Sequence, residues 1–246
     1  MQQKNNLILL DGLRTWGIEL SEGQIAQFDR YYELLVEKNK VMNLTAITEY
    51  EDVLIKHFLD SLSLVKVISL EKEQKILDLG TGAGFPGIPL KIAFPWLTFT
   101  LMDSLNKRIL FLQDVIAELG LSGIHAIHAR AEEAAKKEEY REAYDLCVSR
   151  AVAKLASLSE FCLPFVKQGG YFIPYKSGDI ETECTEAGFA IRELGGKLER
   201  QVKFFLPNSD AERTLLAIKK IRKTPEKYPR AGGKPLKQPL LSVSEG

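Results

Sequence analysis

Asp78 is followed by glycines at 80, 82 and 84 in the stretch ILDLGTGAGFPG (residues 76 to 87), and Asp103 follows the apolar run LTFTLM. These residue types can hold a nucleotide-like ligand in two ways. Counted from Gly82, the stretch reads G-x-G-x-x-G, a dinucleotide loop. That count runs the strand through Asp78 and buries a carboxylate, an uncomfortable place for an unpaired charge. Counted from Gly80, the strand ends near Asp78 and the carboxylate lies at the carboxyl edge of a sheet, while the glycines let backbone approach a ligand without Cβ interference. An acid there suits an ammonium group, whereas a pyrophosphate suits an uncluttered helix N-terminus. Asp103 is placed to accept from two ribose hydroxyls and fits either ligand.

The elements that must hold these residues can be read from periodicity. Ser21 and Gln24 form a capping-box pattern opening a helix over 22 to 39, with Ile25, Phe28, Tyr32, Leu35 and Val36 on one face. Thr48 to Glu51 repeats the pattern before Leu54, Ile55, Phe58, Leu59 and Leu62, so residues 1 to 70 are read as a helical extension. After Lys75, short apolar runs at 75 to 79, 97 to 102, 124 to 128, 145 to 149, 170 to 175, 202 to 206 and 213 to 219 alternate with helical stretches. This alternation predicts an α/β core over 71 to 221, a mostly parallel sheet covered on both faces.

The whole chain has 246 residues and no net charge, yet Lys219 to Pro239 carries eight cations against Glu226. Four prolines there forbid a long helix, so residues 222 to 246 are expected to be a basic C-terminal arm, with Tyr228 and Arg230 suited to RNA. Three spaced cysteines and three histidines predict reduced thiols and no metal. With no membrane-length apolar run and no signal-peptide pattern, a cytoplasmic protein without membrane partners is expected.

Arg150 follows the fourth strand, where a cation can position a phosphate or donate to guanine O6 but cannot act as a base. Lys107 and Arg108 open a helix, an unfavourable place for cations unless something anionic is bound. Asn43, His57 and Lys176 are further candidates for the substrate side. His57 and Asp60, three apart, also suit a local pair that holds the extension to the sheet. Phe85 either covers a ligand or packs under the loop.

An acid before the glycines and an acid after the second strand resemble the S-adenosylmethionine-dependent methyltransferases. NLTAITEYEDVLIKHFLDSL (43 to 62), ILDLGTGAGFPGIPLKI (76 to 92), DSLNKRILFL (103 to 112), SRAVAKL (149 to 155) and KYPR (227 to 230) together resemble the bacterial small-subunit ribosomal RNA methyltransferase G family. The resemblance implies a Rossmann-like class I fold with strand order 3-2-1-4-5-7-6 and an antiparallel last strand. It also implies methyl transfer from S-adenosylmethionine to N7 of a guanine in 16S ribosomal RNA; a monomer is expected. Such a transfer needs alignment rather than a general base, because the acceptor lone pair carries no proton. By resemblance, Gly80 and Phe85 bound the methionine end of the cofactor, Ala131 and Glu132 contact its adenine side, and Arg150 matches the family's arginine after strand four. Asp78, Gly82, Gly84 and Asp103 complete the expected cofactor set. Two readings stay open: a nucleotide-dependent oxidoreductase, and a non-catalytic RNA-binding protein with a vestigial pocket.

Overall fold

The computed structural model describes residues 6–151, 153–178 and 180–241. Strands β1 (Lys75–Leu79), β2 (Thr98–Asp103), β3 (Ile124–His128), β4 (Tyr144–Ser149), β5 (Val166–Lys176), β6 (Gly196–Phe205) and β7 (Glu212–Lys220) form one sheet. Its order is β3-β2-β1-β4-β5-β7-β6, as expected, with β7 antiparallel to both neighbours. β1 to β5 run parallel because a helix or helical connection follows each of the first four.

Helices α1 (Leu7–Arg14), α2 (Glu22–Met42), α3 (Tyr50–Val53) and α4 (Asp60–Leu62) cover one face together with α5 (Gly87–Ala93) and α6 (Asn106–Glu118). The other face is covered by α7 (Ala131–Ala134), α8 (Leu155–Cys162) and α9 (Glu181–Glu193). No helix among the described residues is long and apolar enough to cross a membrane.

Local chemistry explains most boundaries. Ser21 accepts from the Gln24 amide and Gln24 answers to the Ser21 amide, so the expected capping box starts α2, which runs on to Met42. Asn43 ends it in the left-handed region (φ 49°), a conformation its short polar side chain tolerates. The second capping pattern is not realised: Glu49 precedes α3 and no side chain caps it. The helix begun there passes through a π-helical turn, Leu54–Leu59, which re-aims His57 and Asp60. α1 was not legible, being a short amphipathic helix whose Leu9 and Leu13 are fully buried because it packs on the helical stretch around Leu54–Leu59.

Side-chain parity along the strands decides what reaches which face. Ile76 and Val148 point to the N-terminal helices, whereas Leu77, Leu79 and Cys147 point to the α8–α9 side.

Candidate cofactor site at the carboxyl edge of the sheet

A cavity of about 560 Å³ opens where the strand order reverses beside β1 and β4. Its walls come from the ends of four parallel strands: Leu79 and Gly80 after β1, Met102 and Asp103 at β2, Ala131 and Glu132 beyond β3, Ser149 and Ala151 at β4. Leu158 and Phe161 of α8 add an apolar side. The volume lies within the range of small-molecule sites.

Asp103 holds the cavity's most instructive carboxylate. It is buried; Oδ1 accepts the Leu105 amide at 2.9 Å, and Oδ2 accepts the Gly82 amide at 3.0 Å and Arg108 at 3.1 Å. One acceptor site on Oδ1 remains for a hydroxyl. Arg108 therefore has a partner that explains a cation in the first turn of α6, and it stands on the cavity wall with its side chain 34% exposed. Lys107, one residue earlier, is exposed.

Asp78 departs from the expected position. Strand parity turns it from the cavity toward the N-terminal helices, where it is fully buried. Its Oδ2 accepts from Thr81 Oγ1 at 2.7 Å and from the Gly87 amide at 2.9 Å, so it pins both ends of the glycine loop, while Oδ1 has no partner. Burial is the main influence lifting its pKa from 3.8 to about 7, against the lowering effects of those two hydrogen bonds and of Arg150. The premise that only the dinucleotide count buries this carboxylate is thus corrected: the fold buries it and supplies partners. Gly87, part of that other count, is the glycine α5 needs. A Cβ on it would lie 2.3 Å from Leu101 Cδ2 and 2.9 Å from Asp78 Oδ2.

Gly80 lines the cavity, whereas Gly82 and Gly84 shape the loop. Gly82 has φ +62° and open space around a Cβ. Gly82→Ala is therefore expected to cost roughly 1–2 kcal/mol of backbone strain, while Gly87→Ala, which must displace core and carboxylate, should lower the melting temperature several-fold further. Equal melting shifts would contradict this account of the loop.

Phe85 packs beneath the loop. Its ring stacks on His57 at 4.4 Å and lies 5.5 Å from the Arg150 guanidinium. Arg150 points the same way as Asp78, away from the cavity. It donates to the carbonyls of Lys56 and His57, to Ser61 Oγ and to His57 Nδ1, and pairs with Asp60 at 3.2 Å. Because an arginine only donates, His57 Nδ1 is the acceptor and Nε2 carries the proton that Thr45 Oγ1 receives at 2.8 Å. Burial first, then Arg150, lowers His57 to about 3, so the ring is neutral. Asp60 pairs not with His57 but with Arg150 and with Arg213 Nε at 3.0 Å, joining the helical extension to β4 and β7. The structure thus keeps His57 off the surface and makes it part of a pillar under Phe85.

Asn43 is exposed at the end of α2, remote in role from the cavity walls. Lys176 is engaged by Glu183 at 2.6 Å and by the Ala153 carbonyl. The basic arm is not free. Tyr228 is 6% exposed and unavailable for base stacking, and Arg230 makes a two-pronged pair with the fully buried Glu160. Sequence reasoning missed Met102, Leu158, Phe161, Gly233 and Leu236 as cavity residues, since none carries a local chemical signal and each arrives by tertiary closure.

Residues 24–214 match the family described as GidB, rRNA small subunit methyltransferase G. The chain belongs to the ribosomal RNA small subunit methyltransferase G family. Within it, a relative of that name from Lachnoclostridium phytofermentans is 60% identical, over 97% of this chain and 98% of its own. One from Alkaliphilus oremlandii is 52% identical over 95% and 98%. Among solved structures, a SAM-dependent methyltransferase from Aquifex aeolicus aligns with TM-score 0.51 and 16% identity, over 74% of this chain and 97% of its own. M. capricolum TrmK, solved with S-adenosyl-homocysteine, aligns at 0.50 and 18%, over 67% and 68%. At these identities the solved structures speak to the fold. This chain has the α/β sheet of those SAM-dependent methyltransferases.

Proposed function

We propose that the protein transfers a methyl group from S-adenosylmethionine to N7 of a guanine in 16S ribosomal RNA, acting as a monomer on that RNA or on the small ribosomal subunit. Family membership supplies the reaction class, and one observation carries the site: the cavity at the strand-order reversal is walled by a buried acid after β2 and by Ala131 and Glu132 after β3.

The residues present fit the cofactor. Asp103 retains acceptor capacity for a ribose hydroxyl, and Met102, Leu158 and Phe161 offer an apolar slot for a flat ring. Ala131 and Glu132 border that slot, and Gly80 admits the ligand close to backbone. Asp78 serves the amino-acid end from beneath, by fixing the loop between Thr81 and Gly87 and by its carboxylate field. When bound, S-adenosylmethionine supplies a methyl group activated on a sulfonium. Around it, this chain needs to orient and to exclude water. Phe85, propped by His57 and Arg150, sets the loop's position, and the neutral His57 takes no proton. Of the expected RNA contacts, Lys107 and Asn43 are the exposed ones; Lys176 and Arg230 reach the substrate only by leaving their acidic partners.

Small subunits from cells lacking the enzyme, incubated with the protein and labelled cofactor, are expected to gain one methyl that maps to N7 of a guanine. Label on an exocyclic amine or a pyrimidine carbon would overturn the proposed acceptor. Binding of NAD with no methyl transfer would restore the oxidoreductase alternative.

A further inference from the structure

The C-terminal segment was expected to be an RNA-binding arm, yet Gly233 and Leu236 form part of the cavity wall, on the same side as Leu158 and Phe161. Leu236 is 58% exposed although it belongs to α10 (Lys234–Lys237), which packs on α8. An exposed apolar side chain on a cavity wall is one that a ligand in that cavity can cover.

The chain holds this segment in place with unusual care. Glu160 on α8 is fully buried and takes the Arg230 amide at 2.8 Å, Arg230 Nε at 2.9 Å and Arg230 Nη2 at 2.7 Å. Arg230 Nη2 also donates to the Gln238 carbonyl, so one guanidinium ties both ends of the segment carrying Gly233 and Leu236. Ser157 Oγ donates to the Pro235 carbonyl at 2.7 Å. Upstream, Arg141 donates to the carbonyls of Thr224, Pro225 and Tyr228, which fixes the approach to the segment. Four cations of the basic run have acidic partners: Lys219 with Glu199 and Lys227 with Glu193 at the surface, Lys220 with Glu142 and Arg230 with Glu160 in buried surroundings. A carboxylate as buried as Glu160 is tolerated only with such saturation of its oxygens, and what the saturation secures is the wall residue Leu236.

We propose that residues 228 to 238 are a cofactor-binding element: Leu236 contacts the nucleoside part of S-adenosylmethionine directly, and the Glu160–Arg230 pair is its positioning device. This rests on the cofactor reading above.

Isothermal titration with S-adenosylhomocysteine tests it without any turnover. Leu236→Ala is expected to weaken binding roughly tenfold, the loss of about one well-covered pair of methylenes, while Leu236→Met restores binding to within about twofold because the apolar area returns. Leu110→Ala, an equally exposed leucine on α6 (54%), serves as control and should bind like wild type. Arg230→Lys, which keeps the charge and loses the fork, should also weaken binding, compared with its melting temperature. If Leu236→Ala binds as tightly as wild type, the proposal is overturned, whatever Arg230→Lys does. Should Arg230→Lys fail to fold, the Leu236 series still decides, since that side chain is exposed. Wild-type protein that takes up no S-adenosylhomocysteine instead overturns the cofactor reading itself.

Discussion

The affinity of the wild-type protein for S-adenosylmethionine is expected to rise as pH is raised through about 7, and Asp78→Asn to abolish that rise while binding more weakly above it. Burial lifts the Asp78 carboxyl to about 7, so near neutrality it is divided between its neutral and ionised forms. A cationic ligand above the loop favours the ionised form, and binding below that pH releases a proton. Stability moves the other way. Because the folded pKa lies above the unfolded 3.8, the stabilising contribution is present below about pH 4 and lost as pH rises through about 7. At ~1.4 kcal/mol per pKa unit this is on the order of a few kcal/mol. His57 has the opposite slope: lowered from 6.5 to about 3, it contributes stability above pH 6.5 that is lost as pH falls through about 3. Between these limits the two offset each other. Asp78→Asn leaves the histidine slope alone, so the variant's melting temperature should fall on mild acidification where that of the wild type stays level. Calorimetric titration and melting curves across pH check both halves; a variant whose affinity follows pH as the wild type's does would sink the assignment.

Arg150→Ala is expected to unfold the protein at a markedly lower temperature. The guanidinium satisfies two carbonyls, a hydroxyl, an imidazole nitrogen and a carboxylate on the π-helical turn and α4, with only 18% of its side chain exposed. Removing it leaves Asp60 with Arg213 alone and exposes an unpaired buried edge, a class of change that costs roughly 3–5 kcal/mol. For a chain of this size that corresponds to a shift of roughly 6–20 °C. Arg150→Lys should recover little, since one ammonium cannot reach five acceptors in a fork. From sequence, Arg150 was read as facing the substrate, which predicts lost turnover with intact folding. A melting temperature within about 2 °C of wild type, with activity gone, would restore that reading against the structural one.

Much of the fold follows from local patterns. Apolar runs of strand length alternating with helical periods gave β1 to β7 to within a few residues, except that β5 begins earlier, where Val166 pairs with Tyr144 of β4, and β6 begins earlier, where Gly196 pairs with Lys220 of β7. The glycine loop and Asp103 were legible because backbone access and an acid at a strand end are written in residue types. Parity is legible in the sequence as well. Asp78 lies two residues from Ile76, as Arg150 does from Val148, and the alternation of a strand sends both to the face under the N-terminal helices. Their neighbours Leu79, Ser149 and Ala151 face the cavity.

The sequence by itself determined the strand order, the ligand-side loop and the family. Only the tertiary structure decided which charges are free. The partners of Asp60, Glu160 and Lys220 lie dozens of residues away in the chain, and no spacing rule reaches that far. A run of basic residues therefore looks like a surface for RNA until folding brings up a partner such as the buried Glu160, because burial makes an unpaired charge too costly to leave alone.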